Sequence, residues 1–315
     1  MALILLAVTA AGANSTPTPL FQANAALQAG EADKALALLL PLAQPGGAAE
    51  AFNLKCRVEY SIEHWDQALE DCEQAVKLDG RNSDDHLWLA RVLGAKASRA
   101  NFLSAFKLAK RVCAEMEEAV RLNPRGAEAL ANLGEYYYTA PAVVGGGIDK
   151  AEGVAAQLDK IDPVRARELR GRIAEHKKDY SAAEREYKLA ISTAAHPAFQ
   201  WITLARFYQG RERWAEMEAA VRSGQSAAEH DKHAGAALYD GAELLILTHR
   251  DAARAAKMLE EYLAGSSKSE KAPAFVAHTW LARLKGDSGD KAAACRERSA
   301  ALALAHDYKP ALDLH

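Results

Sequence analysis

The sequence predicts an all-α fold, a right-handed solenoid of about eight antiparallel helix pairs, and three observations lead there. Alanine is abundant while only 7% of residues are aromatic, a composition suited to close helix packing because alanine has the best helix propensity and lets backbones approach. Of the 315 residues, 50% are hydrophobic and 26% charged, enough for a sizeable interior and far from the range of disordered chains. A unit of roughly 34 residues recurs, the length at which helical hairpins stack. One hairpin cannot bury its apolar stripe alone, whereas stacked hairpins bury a continuous core.

The second helix of the unit carries small residues seven apart with a larger side chain between them. Ala68, Cys72 and Ala75 superpose in this way on Ala183, Tyr187 and Ala190, and the same face recurs at Asp33–Ala35 and from Asp290 through Ala294 to Ala301. Upstream lie partner segments, Ala131–Tyr137, Trp201–Tyr208 and Trp280–Arg283, which read as first helices. These segments resemble tetratricopeptide repeats, whose pattern runs Trp, Leu, Gly, Tyr, then a small residue, an alanine and a closing proline. Trp201, Leu204, Ala205 and Tyr208 match the first-helix positions in order, and Gly134 and Gly171 occupy the small position where two helices touch. Leu122-Asn123-Pro124 and Ile161-Asp162-Pro163 match the closing proline, which cannot continue a helix. The resemblance spans residues 16–310 and implies a protein-binding scaffold.

Two pairs depart from the standard length. In one, extra residues at 96–111 bring Lys96, Arg99, Lys107, Lys110 and Arg111 together with Phe102 and Phe106, and no acidic residue. The reading expects a lengthened second helix whose Phe and Leu pack inward while the basic residues are solvated. The alternative is an apolar and basic face that touches an acidic protein or a membrane surface. This middle section distantly resembles the helical domain of the regulator of microtubule dynamics family, whose function is not carried over. In the next pair, Gly134 and Ala151 stand 17 positions apart where the repeat needs about 12, so residues 139–149 form an inserted loop. Its Gly145-Gly146-Gly147 run lacks a preceding strand and a following Gly-Lys-Ser or Gly-Lys-Thr, and reads as a flexible connector rather than a phosphate cradle.

Residues 1–13 form a short apolar run ending in Ala11-Gly12-Ala13, the form of a secretory cleavage site. The expected location is therefore periplasmic or secreted, and cytoplasmic if the run is instead a buried first helix. No later stretch is long and apolar enough to cross a bilayer. In an oxidising compartment Cys56 and Cys72 are expected to pair, since they face each other across one hairpin whose turn lies near His64, while Cys113 and Cys295 stay reduced. No nucleophile–base pair, haem-attachment motif or convergent metal-ligand set stands out, so neither catalysis nor a cofactor or metal is expected. The His230 and His233 imidazoles are too few for a structural zinc site.

Residues just after the small contact position of each first helix face the concave surface, as the resemblance implies. That position holds Arg57, Arg91, Glu135, Arg172, Arg206 and Arg283. Arginines stacked in neighbouring repeats repel unless anions answer them. The answer is either internal, from Glu50, Glu128, Glu135, Glu168 or Glu175 on nearby faces, or external, from carboxylates of an acidic or C-terminal peptide gripped by arginine forks. The functional expectation is a non-catalytic envelope adaptor for a protein or peptide. Its alternative is an accessory protein for an exported anionic small molecule or glycan, held by the arginines and the glycine loop. A net charge of -3 offers no basic field for nucleic acid.

Overall fold

The computed structural model describes residues 17–314, so the expected signal segment lies outside the described residues. Eight helical hairpins follow one another: α1 (Pro19–Ala29) with α2 (Ala32–Leu39), α3 (Ala49–Ser61) with α4 (Trp65–Leu78), α5 (Ser83–Ala97) with α6 (Phe102–Leu122), α7 (Ala127–Thr139) with α8 (Ile148–Leu158), α9 (Pro163–His176) with α10 (Tyr180–Thr193), α11 (Ala198–Gln209) with α12 (Trp214–Glu229), α13 (Gly235–Leu247) with α14 (Ala252–Ala264), and α15 (Ala274–Asp287) with α16 (Lys291–Leu304). A last turn, α17 (Lys309–Leu312), ends the array, and no strand forms among the described residues.

Six of the hairpins turn by one backbone device. A residue in the left-handed region (Gly30, Glu63, Lys178, Glu212, His249 or Gly289) breaks the first helix. The next amide then donates back to a carbonyl five residues earlier, as Glu31 does to Ala26, His64 to Glu59 and Arg213 to Tyr208, at 2.9–3.0 Å. This closes carbonyls the helix end would leave orphaned. Asp179, Asp251 and Asp290 then cap the second helix by accepting a backbone N–H, as Asp162 does between hairpins at the start of α9. Pro163, read as closing a repeat, instead opens α9 at its first position, where its missing N–H costs nothing.

The hairpins without this turn are α5–α6 and α7–α8, the pairs whose lengths depart from the repeat. These two departures are one feature. The helix η1 (Ala142–Val144) in the inserted loop packs beside the lengthened α6, and the Tyr136 hydroxyl lies 2.8 Å from the Ala109 carbonyl and 2.7 Å from that of Val144, joining both. Gly145, Gly146 and Gly147 donate their amides to Ala142, Pro141 and Tyr137, so the glycine run is a hydrogen-bonded connector with no amide left to cradle an anion.

Close approach between helices depends on small residues. A methyl group added at Gly134 would lie 2.5 Å from Leu169, and one at Gly171 would lie 2.6 Å from the Tyr187 ring. Cys56 and Cys72 are joined in a disulfide between α3 and α4, their Cα atoms 5.3 Å apart. Cys113 is free and buried, and Cys295 is free and exposed.

The array closes on itself. Ala23, Ala26, Leu27, Ala35, Leu39 and Val58 from the first two pairs share one apolar core with Phe275, Ala301, Ala305, Tyr308 and Ala311 from the last. The α1–α2 turn lies against the start of α15 so tightly that a methyl at Gly30 would fall 2.3 Å from the Ala274 amide nitrogen. First helices therefore face a cleft that also takes residues from the last hairpin, Val276 and Tyr308 among them.

Candidate functional site

The cleft has a volume of about 640 Å³ and is walled mainly by first helices: Arg57 and Tyr60 of α3, Trp88 and Arg91 of α5, Glu128 and Asn132 of α7, Arg165 of α9 and Glu243 of α13. Into it projects the linker 265–273 between α14 and α15, carrying Glu270 and Lys271. The linker is held at its base by Lys268, whose ammonium donates to the carbonyls of Tyr262, Leu263 and Gly265 at the end of α14, a favourable place for a cation. The Tyr262 hydroxyl donates to the Ala272 carbonyl and accepts from the Ser269 amide.

At the tip, Arg57 grips Glu270 with two parallel hydrogen bonds, Nε to Oε2 at 2.9 Å and Nη2 to Oε1 at 2.8 Å. This two-pronged geometry is the strong form of the arginine–carboxylate pair. Both side chains are largely withdrawn from solvent, 17% and 13% exposed. The Arg57 guanidinium lies 5.3 Å from the Trp88 ring centroid and that of Arg91 lies 4.6 Å from the same ring, so one indole supports two cations. Arg91 also donates to Glu128 at 2.6 Å, and Lys271 reaches the same carboxylate oxygen at 2.6 Å. Burial alone would raise the Glu128 pKa, but hydrogen bonds from Lys271 and Arg91 outweigh it and hold the carboxyl at about 2.

Behind Glu243 of the cleft lining, and not itself lining it, Arg206 lies 3.5 Å from Glu243 and 3.6 Å from Asp240. Asp240 keeps about a third of its side chain exposed, and desolvation, opposed by Arg206, pushes its pKa up to about 6. The other residues of the predicted series lie elsewhere. Arg172 borders a smaller hollow of about 350 Å³ with Tyr138 and Glu175, and exposed Glu135 contributes to its field. Arg283 lies 4.9 Å from the Trp280 ring, at the edge of a separate hollow of about 780 Å³ shared with Lys291, Cys295 and Arg298. That hollow is larger, but the last hairpin and the C-terminal turn alone build it, whereas the cleft gathers groups from most of the array.

The basic extension is divided. Lys96 pairs with Asp66 and Arg111 with Glu73, while Arg99 stacks on Trp65 at 4.3 Å. Lys110 lies over Phe106 at 4.8 Å, and Lys107 is exposed. The lengthened α6 is present, but Phe102 and Leu103 do not pack inward as expected; they are 87% and 66% exposed. They precede the first turn of α6 that reaches the core, where Val112 and Cys113 become buried. His230 and His233 are exposed in the α12–α13 turn, and the imidazole that meets Asp231 is that of His196, at 3.4 Å, while His233 donates only its backbone amide to it.

Sequence reading missed Glu270, Lys271 and Trp88. The signal was in loop length: four-residue turns join α4 to α5, α6 to α7, α8 to α9 and α10 to α11, whereas nine residues separate α14 from α15, as they also do α2 from α3.

Among solved structures, this chain is similar to TTC0263, a thermophilic tetratricopeptide repeat protein of Thermus thermophilus, with 21% identity, a TM-score of 0.51, and 61% of this chain and 97% of that one covered. A tetratricopeptide repeat protein of Parabacteroides merdae aligns over 85% of this chain and 97% of its own at 14% identity and TM-score 0.46. MamA aligns over 55% and 93% at 16% identity and TM-score 0.36. The sequence matches no protein-family model and no curated protein. The fold is that of a tetratricopeptide-type solenoid.

Proposed function

We propose that this chain is a non-catalytic scaffold of the bacterial cell envelope whose inner cleft holds an acidic or C-terminal peptide segment of a partner protein. The observation that carries this reading is the fork of Arg57 on the Glu270 carboxylate, braced by Trp88 and Arg91. Glu270 acts as a resident stand-in for a partner's carboxylate, and the linker that carries it can withdraw without unfolding a helix. The disulfide between Cys56 and Cys72 and the apolar run ending Ala11-Gly12-Ala13 support an oxidising compartment.

A second reading, an anionic small molecule or glycan as ligand, is favoured by the convergence of Arg57, Arg91 and Lys271 on one concavity of about 640 Å³, since small ligands take concave sites with a few convergent polar groups. The glycine loop has no part in it, because its three amides are already engaged.

Fluorescence anisotropy of a labelled glutamate-rich peptide, with a lysine-rich peptide as control, tests the proposal. Wild type binds only the acidic peptide, and Arg57→Glu weakens it by about tenfold or more, the cost of losing one charged hydrogen-bonded pair. Equal binding to both proteins removes the cleft from consideration. Binding of a free dicarboxylate in place of the peptide selects the second reading.

A further inference from the structure

The seam where the first and last hairpins meet carries a cluster of imidazoles and carboxylates outside the cleft. Asp33 comes from α2, His306 and Asp307 from the turn between α16 and α17, and His64 from the start of α4. One donor atom from each of Asp33, His306 and Asp307 lies within 4.8 Å of the others. His306 Nδ1 is 2.8 Å from Asp33 Oδ1, and the His306 amide donates to Asp33 Oδ2 at 3.0 Å. From the other side, His64 Nε2 approaches Asp307 Oδ2 at 3.3 Å, while its Nδ1 lies 2.8 Å from Glu59 Oε2.

Ion pairing alone leaves one atom unexplained. Asp307 Oδ1 is sealed from solvent with no hydrogen-bond partner among the described residues, and an unsatisfied buried acceptor is costly. A dication at the seam would satisfy it. Imidazole and carboxylate donors together suit zinc-class ions, whereas calcium and magnesium prefer sites built of oxygen alone. His64 stands outside this group, bridging Glu59 and Asp307 through its two ring nitrogens, and holds Asp307 in place beside it.

We propose that Asp33, His306 and Asp307 bind a zinc-class dication, with water completing its coordination, that clasps the first hairpin to the last. Ring closure, and with it the shape of the cleft, then depends on metal. The clasp stands whether or not the cleft takes a peptide.

The test uses the full chain, stripped with a chelator, in a Cys295→Ser background because an exposed thiol competes for zinc. Titration against a chromophoric chelator at neutral pH gives one zinc equivalent of micromolar or tighter affinity, with a rise in melting temperature that magnesium does not reproduce. His306→Ala and Asp307→Asn, whose folding is checked by circular dichroism without metal, each bind zinc about 10–100-fold more weakly and lose the thermal shift. No binding by the parent protein overturns the proposal, as does undiminished binding by both variants.

Discussion

Arg57 and Glu270, 213 positions apart in sequence, are joined by two parallel hydrogen bonds of 2.9 and 2.8 Å across the inner cleft. The pair ties a linker near the end of the chain to the second hairpin, so it serves both the shape of the ring and the chemistry of the site. Glu270→Ala strands the Arg57 guanidinium in a largely desolvated place and is expected to cost about 1–3 kcal/mol of stability. Lys271→Ala removes a side chain that is 58% exposed and should cost no more than about 1 kcal/mol. Urea titrations of the two variants check the order; equal losses contradict it.

Closure of the ring is tested at Gly30. It has φ +75 and sits against Ala274, whereas Gly289 occupies the same turn in the last hairpin with φ +86 and open space around it. Gly289→Ala should cost about 1–2 kcal/mol, the strain of a left-handed alanine. Gly30→Ala adds a clash with backbone and should cost more than about 3 kcal/mol. Similar melting temperatures for the two variants would mean that the ends do not pack.

The fold was legible because each repeat restates its pattern, and errors at one, such as the reading of Pro163, are absorbed by the rest. The turn residues were not, since Glu63, Lys178, Glu212 and His249 adopt a left-handed conformation that glycine or asparagine ordinarily announces. Ring closure was also hidden. The surfaces that meet carry Ala23, Ala26, Ala301 and Ala305, whose composition does not differ from that of any other helix contact here. Of the arginine series, Arg57 and Arg91 do share the cleft, but the carboxylate that answers Arg57 comes from a polar linker with no repeat signature.

Stability should depend on pH through Asp85, which is 1% exposed. Desolvation, reinforced by the charge of Asp79, pushes its pKa from 3.8 up to about 6. The native state therefore holds this proton more tightly than the unfolded chain. Its contribution is complete below pH 3.8 and is lost as pH rises to about 6, by up to about 3 kcal/mol at 1.36 kcal/mol per unit. Glu128 has the opposite sign: its contribution is present above pH 4.5 and is lost as pH falls toward 2. Asp85→Asn should raise the melting temperature at pH 7 and flatten its change between pH 4 and 6. An unchanged profile would show that Asp85 is not charged in a buried site.

The disulfide should contribute about 3 kcal/mol, the chain entropy of a loop of about 15 residues, so urea unfolding of the Cys56→Ala, Cys72→Ala double variant should show stability lower by about that amount. Thiol counting without reductant should find Cys295 reactive in the native protein. Cys113, buried and with its pKa raised to about 11 by burial and by Glu117, should react only after unfolding. Four reactive thiols in unfolded, unreduced protein would exclude the bond.

The central claim is that the cleft takes a carboxylate where Glu270 now sits, and the affinity of a glutamate-rich peptide for Glu270→Gln measured beside wild type tests it most directly. Removing the resident carboxylate while keeping its shape should tighten peptide binding by about tenfold, because about 1.4 kcal/mol of internal competition is lifted. Unchanged or weaker binding by Glu270→Gln would contradict the claim, and the Arg57–Glu270 pair would then be a structural tie alone.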